Sequence, residues 1–268
     1  MLPSWLEHVR LSLHPAGLDA VILRAGDHKL LRHQSLETPL SGDAYRWEPA
    51  LRMLPSLLSE LSATHRDTEV VISGAWTHFL MLPWQDALGG DAEWLAFARH
   101  AYISVYGHEA EHWQIRLTMQ GYGKPVMACA MDASLTQGII DTLTGSDCRI
   151  SRITPFFTNA YNRYRKKLQI RDSWLALTES GRLQLARIED GCIVHMVARR
   201  IDGNTHGSVS EVIRRELERS VFGQAVAPLF FHSADGISVP AGLSEHVRVV
   251  PLESHLPFTT TGMVMALC

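Results

Sequence analysis

Two stretches of this chain, residues 9–36 and 173–200, have the same build, and that repetition constrains the fold more than any single motif. Each reads as three short strands joined by tight turns. In the first, Val9, Leu11 and Leu13 alternate with Arg10 and Ser12, the period of a strand with one buried face. His14-Pro15-Ala16-Gly17 is a turn, and residues 18–23 a second strand. Gly26-Asp27-His28 is another turn, and residues 29–36 a third strand. In the later stretch, strands over 173–178, 183–188 and 192–200 are separated by Glu179-Ser180-Gly181 and Glu189-Asp190-Gly191. The letters differ between the two stretches while the order is the same, so the chain reads as two related halves.

The segments after each meander are also ordered. A Pro/Gly/Ser-bearing link over 38–43 leads to a helix over 47–61, with Leu51, Leu54, Leu57, Leu58 and Leu61 at helical spacing and Pro55 an interruption within it. A short buried-type strand covers 69–73. Next come a strand over 77–82 stopped by Pro83, a helix over 92–105 capped by Asp91, and strands over 113–117 and 126–130 joined by Gly121-Tyr122-Gly123. A helix capped by Asp132 and running through Leu143, and a strand over 148–153, complete the series β-α-β-β-α-β, the order of a ferredoxin-like unit. Beyond it lie a helix over 156–167, the second meander, a helix capped by Ser208 or Ser210 and running through Phe222, strands over 228–232 and 246–250, and a closing segment over 258–268. The predicted class is α/β with an α+β insertion. The divisions are 1–76 with 155–172, 77–154, and 173–268.

Composition suits this reading. The chain has 268 residues, of which 46% are hydrophobic and 20% charged, enough to fill a core. A net charge of −3 disfavours a strongly basic nucleic-acid binder, and the run over 163–167 then reads as the solvated face of a helix. The four cysteines form no C-x-x-C pair, which argues against a cysteine zinc site or a disulfide scaffold. Residues 1–13 lack the apolar centre of a signal peptide, and no apolar run approaches the length of a membrane span. A soluble, cytoplasmic protein is expected.

Several stretches together resemble a known family. Residues 70–73 followed by 77–83 end in a Leu-Pro step. Val126-Met127-Ala128-Cys129-Ala130-Met131-Asp132 passes from strand into helix. Residues 173–191 form an opening hairpin, and the segment over 255–267 contains Gly262-Met263-Val264-Met265-Ala266-Leu267. In this order they resemble the PilM-like and GspL-like actin-like proteins of type IV pilus and type II secretion inner-membrane platforms, from about Val9 to Leu267. The resemblance implies an actin-like ATPase fold with two ribonuclease-H-like halves and an inserted ferredoxin-like subdomain. It also implies a cytoplasmic scaffold, peripheral to the inner membrane. Its partners would be the cytoplasmic tail of an inner-membrane pilus or secretion protein and the assembly ATPase, with no nucleic acid and no span of its own.

The family's nucleotide cleft places an acid and a glycine in each half's first hairpin turn. Here the candidate cleft residues are Ser12, His14 and Gly17 in one half and Glu179, Ser180, Gly181 and Gly236 in the other. The first turn has no acid, and Pro15 removes a donor N–H. The second keeps an acid and a glycine in shifted order. The expectation is a degenerate cleft, a pseudo-ATPase without catalytic residues or cofactor, with ATP binding conceivable. An active actin-like or sugar-kinase-like ATPase is the alternative.

A zinc-dependent hydrolase is a second alternative, because His108-Glu109-Ala110-Glu111-His112 spells HExxH. That chemistry needs both histidines on one helical face, with the glutamate between them as general base, and a third ligand downstream. Gly107 precedes the run and the alternating Trp113, Ile115 and Leu117 follow it, leaving no room for a helix. His108, Glu109 and His112 are therefore rejected as metal ligands.

Overall fold

Short turns between alternating strands set the architecture at both ends of the chain. The computed structural model describes residues 7–38, 46–168, 172–201, 206–220, 227–234, 236–237, 243 and 248–252. The first meander is β1 (Glu7–His14), β2 (Gly17–Arg24) and β3 (Leu30–Glu37). Helix α1 (Glu48–Leu61), β4 (Asp67–Ile72), β5 (His78–Leu82) and α2 (Asp91–Tyr106) follow, and Gly107–His112 is a short 3-10 helix. Then come β6 (Trp113–Thr118), β7 (Val126–Asp132), α3 (Ala133–Gly145), β8 (Arg149–Pro155) and α4 (Phe156–Leu168). The second meander is β9 (Ser173–Glu179), β10 (Arg182–Glu189) and β11 (Cys192–Arg200), followed by α5 (His206–Ser220), β12 (Leu229–Ser233) and β13 (Val249–Pro251). The closing segment over 258–268 and most of the expected link over 38–43 lie outside the described residues.

The two meanders build sheets of identical order. One runs β3-β2-β1-β4-β8, the other β11-β10-β9-β12-β13. In each, the meander is antiparallel and its first strand also pairs in parallel with the strand after the helix: β1 with β4, from His8↔Asp67 to Leu13↔Ile72, and β9 with β12, from Leu229↔Trp174 to Ser233↔Thr178. Parallel pairing requires a crossover, and α1 supplies it in the first half. Its Ala50, Leu54, Leu57, Leu58 and Leu61 form one buried stripe. Pro55 falls on the exposed side of the helix, where solvent can serve the carbonyl deprived of a donor.

The chain divides into two compact units. The first holds the described residues of Met1–Thr77 together with Ala133–Ala160. Its core joins Val9, Leu11 and Leu13 of β1 to Leu18, Ala20 and Ile22 of β2, the α1 stripe, and Leu135, Ile139 and Leu143 of α3. The second holds His78–Asp132 and the described residues of Tyr161–Glu253. It contains the second five-stranded sheet, with Trp174, Leu185, Ile213 and Phe231 in its core, and a small antiparallel sheet, β5-β7-β6, backed by α2.

The six elements expected to form one ferredoxin-like unit are present in order but do not share a sheet. Three of the four strands pair as β5-β7-β6. The fourth, β8, pairs in parallel with β4 in the first five-stranded sheet, and α3 packs into that unit's core. The reason is where the apolar faces find partners. Ile150 and Ile153 of β8 pack against the core built by β1 and α1. Gly138 of α3 lets α1 approach closely, since a Cβ there would stand 2.4 Å from Leu51 Cδ2. Asp91, expected as a cap, is instead the first helical residue of α2. Gly90 is the extended N-cap, and Glu93 accepts a hydrogen bond from the Gly89 N–H at 2.6 Å.

The small sheet has an aromatic wall. His78 of β5 stacks on Trp113 of β6, with centroids 4.2 Å apart and planes 5° from parallel. Its carbonyl accepts the Tyr102 hydroxyl at 2.8 Å. Burial, helped by Arg182, pushes the His78 pKa down to about 4. His78 is thus neutral when folded but takes a proton below about 6.5 when unfolded. Its contribution to stability is full above pH 6.5 and is lost as pH falls toward 4. Between pH 7 and pH 5 the chain should lose about 2 kcal/mol more than a His78→Phe variant, measured by urea unfolding. Equal losses in the two proteins would contradict this burial.

Candidate functional site

In open α/β sheets the carboxyl ends of the central parallel strands are the natural ligand-binding edge. Each unit has such an edge, and the residues singled out from the sequence fall there. The two edges correspond residue for residue. Leu13 is the last β1 residue paired with β4, and its carbonyl accepts the Ser73 N–H at 2.9 Å. Thr178 is the last β9 residue paired with β12, and its carbonyl accepts the Ala234 N–H at 2.8 Å. The next residue on each strand, His14 in one half and Glu179 in the other, therefore holds the same position.

The first edge is filled by its own chain. Ser12 is fully buried and His14 nearly so, both on the face of β1 turned away from the α1 core. His14 Nε2 lies 3.1 Å from Asp19 Oδ2, and His33 Nε2 lies 3.2 Å from Asp19 Oδ1, so one buried carboxylate is shared by two imidazoles. The carbonyls of the turn are also engaged: the Thr38 hydroxyl donates to Pro15 O at 2.7 Å and the Thr38 N–H to Ala16 O at 3.0 Å. Gly17 is required because β3 passes too close for a side chain; a Cβ would stand 2.3 Å from the Leu36 carbonyl oxygen. These residues do not fit a magnesium-nucleotide. The turn has no free carboxylate, Pro15 offers no N–H, and a histidine occupies the position that an acid holds in the other half.

The second edge is built differently. Ser180 and Gly181 both have positive φ, 45° and 71°, the geometry of a two-residue hairpin turn that favours glycine. Glu179 is fully buried beside this turn. Gly236, with φ 69°, follows the end of β12, where the Ser233 hydroxyl accepts the Ile237 N–H at 2.8 Å. Two buried side chains on the same sheet face were not anticipated from the sequence. Gln184 and His232 flank Leu177 from neighbouring strands. His232 donates through Nδ1 to the Leu252 carbonyl at 3.0 Å, and burial lowers its pKa. Among the described residues neither amide atom of the fully buried Gln184 has a hydrogen-bond partner, and leaving such a group unmet costs about 1–3 kcal/mol. Strand alternation could have placed Asp19 and Gln184 on inward faces, but their types gave no reason to expect burial.

The HExxH run lies in the 3-10 helix. At three residues per turn, positions four apart sit about 120° round the axis, so His108 and His112 do not share a face. The His108 side chain is 95% exposed and pairs with Glu111, Nδ1 to Oε1 at 2.8 Å. Among the described residues no cluster of three His, Cys, Asp or Glu side chains could hold a metal ion. The basic residues Arg163, Arg165, Lys166 and Lys167 occupy the exposed side of the end of α4, where cations meet the negative end of the helix dipole. Among the described residues no helix is long and apolar enough to cross a membrane.

No protein-family model and no curated protein matches the chain. Solved structures do. The cytoplasmic domain of EpsL, an inner-membrane component of the type II secretion system of Vibrio cholerae, superposes with a TM-score of 0.64 at 12% identity, over 97% of this chain and 92% of that one. A Bacteroides thetaiotaomicron protein with an actin-like ATPase fold and unknown function gives 0.66 at 12% identity, over 98% and 96%. A chain of a PilM–PilN type IV pilus biogenesis complex gives 0.61 at 14% identity, over 93% and 89%. At such identities the likeness establishes the fold: this chain is actin-like, as its duplicated sheets require.

The closeness of the first edge is testable at one atom. Gly17→Ala should lower stability by about 1–3 kcal/mol in urea unfolding, while Ala16→Gly at the neighbouring position should cost well under that. Unchanged stability in Gly17→Ala would contradict the packing of β3 against the turn.

Proposed function

We propose that this chain is a non-hydrolysing actin-like scaffold of an inner-membrane assembly platform of the type II secretion or type IV pilus kind, held at the membrane by the cytoplasmic tail of a membrane-inserted partner. The observation that carries the reading is the first edge. An actin-like ATPase needs phosphate-facing donors and a metal-holding acid from both halves. Here one half supplies a proline, a histidine and carbonyls already bonded to Thr38. Full-length likeness to the EpsL cytoplasmic domain and to PilM supports the platform role, since those proteins belong to such assemblies. An actin-like fold that has given up turnover keeps a large, rigid surface on which partners can be arranged. An assembly ATPase is the natural second partner in this arrangement.

Immobilised cytoplasmic tails of platform proteins encoded beside this chain should retain the purified full-length protein at physiological salt, and unrelated tails of equal charge should not. Equal retention on both would overturn the reading.

A further inference from the structure

The β6–β7 turn carries the most exposed large side chain among the apolar and aromatic residues described. Tyr122 is 83% exposed, at the tip between Gly121 and Gly123. It is nevertheless held in place. Its hydroxyl donates to Asp86 Oδ1 at 3.1 Å, and the Trp84 indole N–H donates to the same oxygen at 2.8 Å. The Tyr122 and Trp84 rings meet edge to face, with centroids 5.1 Å apart, and Trp84 rests at 5.5 Å on the buried Trp94. Two donors thus fix the carboxylate through one oxygen. Asp86 Oδ2 receives no hydrogen bond from a described residue, and no described Lys, Arg or His pairs with Asp86. An open aromatic face and an oriented carboxylate oxygen stand side by side.

We infer that Trp84, Asp86 and Tyr122 form a recognition site for an arginine side chain on an extended segment of another protein. A guanidinium uses both features at once, stacking its plane on the tyrosine ring while donating to Oδ2. An aliphatic side chain uses only the ring, and an anion is repelled by Asp86. One exposed cation–π contact and one exposed ion pair are each weak. Free arginine would be held too weakly for function, so the side chain must arrive on a chain that adds contacts. This deepens the platform reading, on which it rests for the source of the segment: cytoplasmic flanks of membrane spans carry an excess of Lys and Arg.

The full-length chain, labelled at the tryptophan indole nitrogens, would be titrated with N-acetyl-Gly-Arg-Gly-amide and with its citrulline, lysine and norleucine counterparts. The Trp84 indole resonance should move with the arginine peptide and respond about five-fold more weakly to the others. The Trp174 resonance should stay still. Asp86→Asn, which preserves shape, and Tyr122→Ala, at an exposed position, should each abolish the response. No shift, an equal response to citrulline or lysine, or a response surviving both substitutions would overturn the inference. Retention on partner tails that is undiminished by Asp86→Asn would overturn it too while leaving the platform reading in place, whereas loss of all tail retention by the wild-type chain would overturn that reading instead.

Discussion

Everything in this chain depends on two strands that are covered on both faces and paired on both edges. β9 is buried at every residue, and β1 from Leu11 to its end. Each has an antiparallel neighbour from its own hairpin and a parallel neighbour that returns after a helix. Parallel pairing demands the crossover, and the crossover puts a helix over the sheet. Repeating that arrangement gives the actin-like duplication. Burial of the central strands also explains why polar residues near their carboxyl ends, Ser12, His14 and Glu179, have no access to bulk solvent and must be accommodated by side chains around them.

The two carboxyl edges show how one architecture supports different chemistry. At the His14 edge Asp19 bonds both His14 and His33, and Thr38 bonds the Pro15 and Ala16 carbonyls, while His14 Nδ1 has no hydrogen-bond partner among the described residues. At Glu179 the chain keeps an acid, a left-handed two-residue turn and a buried amide that meets no partner among the described residues. The two edges thus differ in charge and in hydrogen-bonding groups, the features on which phosphoryl transfer draws. Apart from both edges, the Trp84–Asp86–Tyr122 corner of the second unit holds one carboxylate in a fixed orientation.

Legibility in the sequence followed the range of the interactions. The meanders were readable because their turns are local: Ser180-Gly181 and Asp190-Gly191 adopt left-handed conformations that their residue types favour. Helices α1 and α2 were readable from apolar spacing. The place of β8 was not, because the order β-α-β-β-α-β is the same whether the last strand closes the small sheet or joins β4, and only the packing of Ile150 and Ile153 decides it. That the HExxH run sits in a short 3-10 turn between α2 and β6 follows from its neighbours, Gly107 before it and the alternating strand after it. The Asp19 cluster could not be foreseen, since it joins residues from three strands through side-chain contacts. Trp84 is half-buried and directs its indole N–H to an exposed carboxylate, a pairing that no local sequence pattern announces.

We propose that the first edge does not accept phosphate. Titration calorimetry of the full-length chain with magnesium-ATP, together with assay of the same samples for released phosphate, tests it most directly. The expected result is no saturable heat in the micromolar range and no phosphate above a protein-free control. Stoichiometric micromolar binding accompanied by phosphate release, lost on Glu179→Gln, would contradict it.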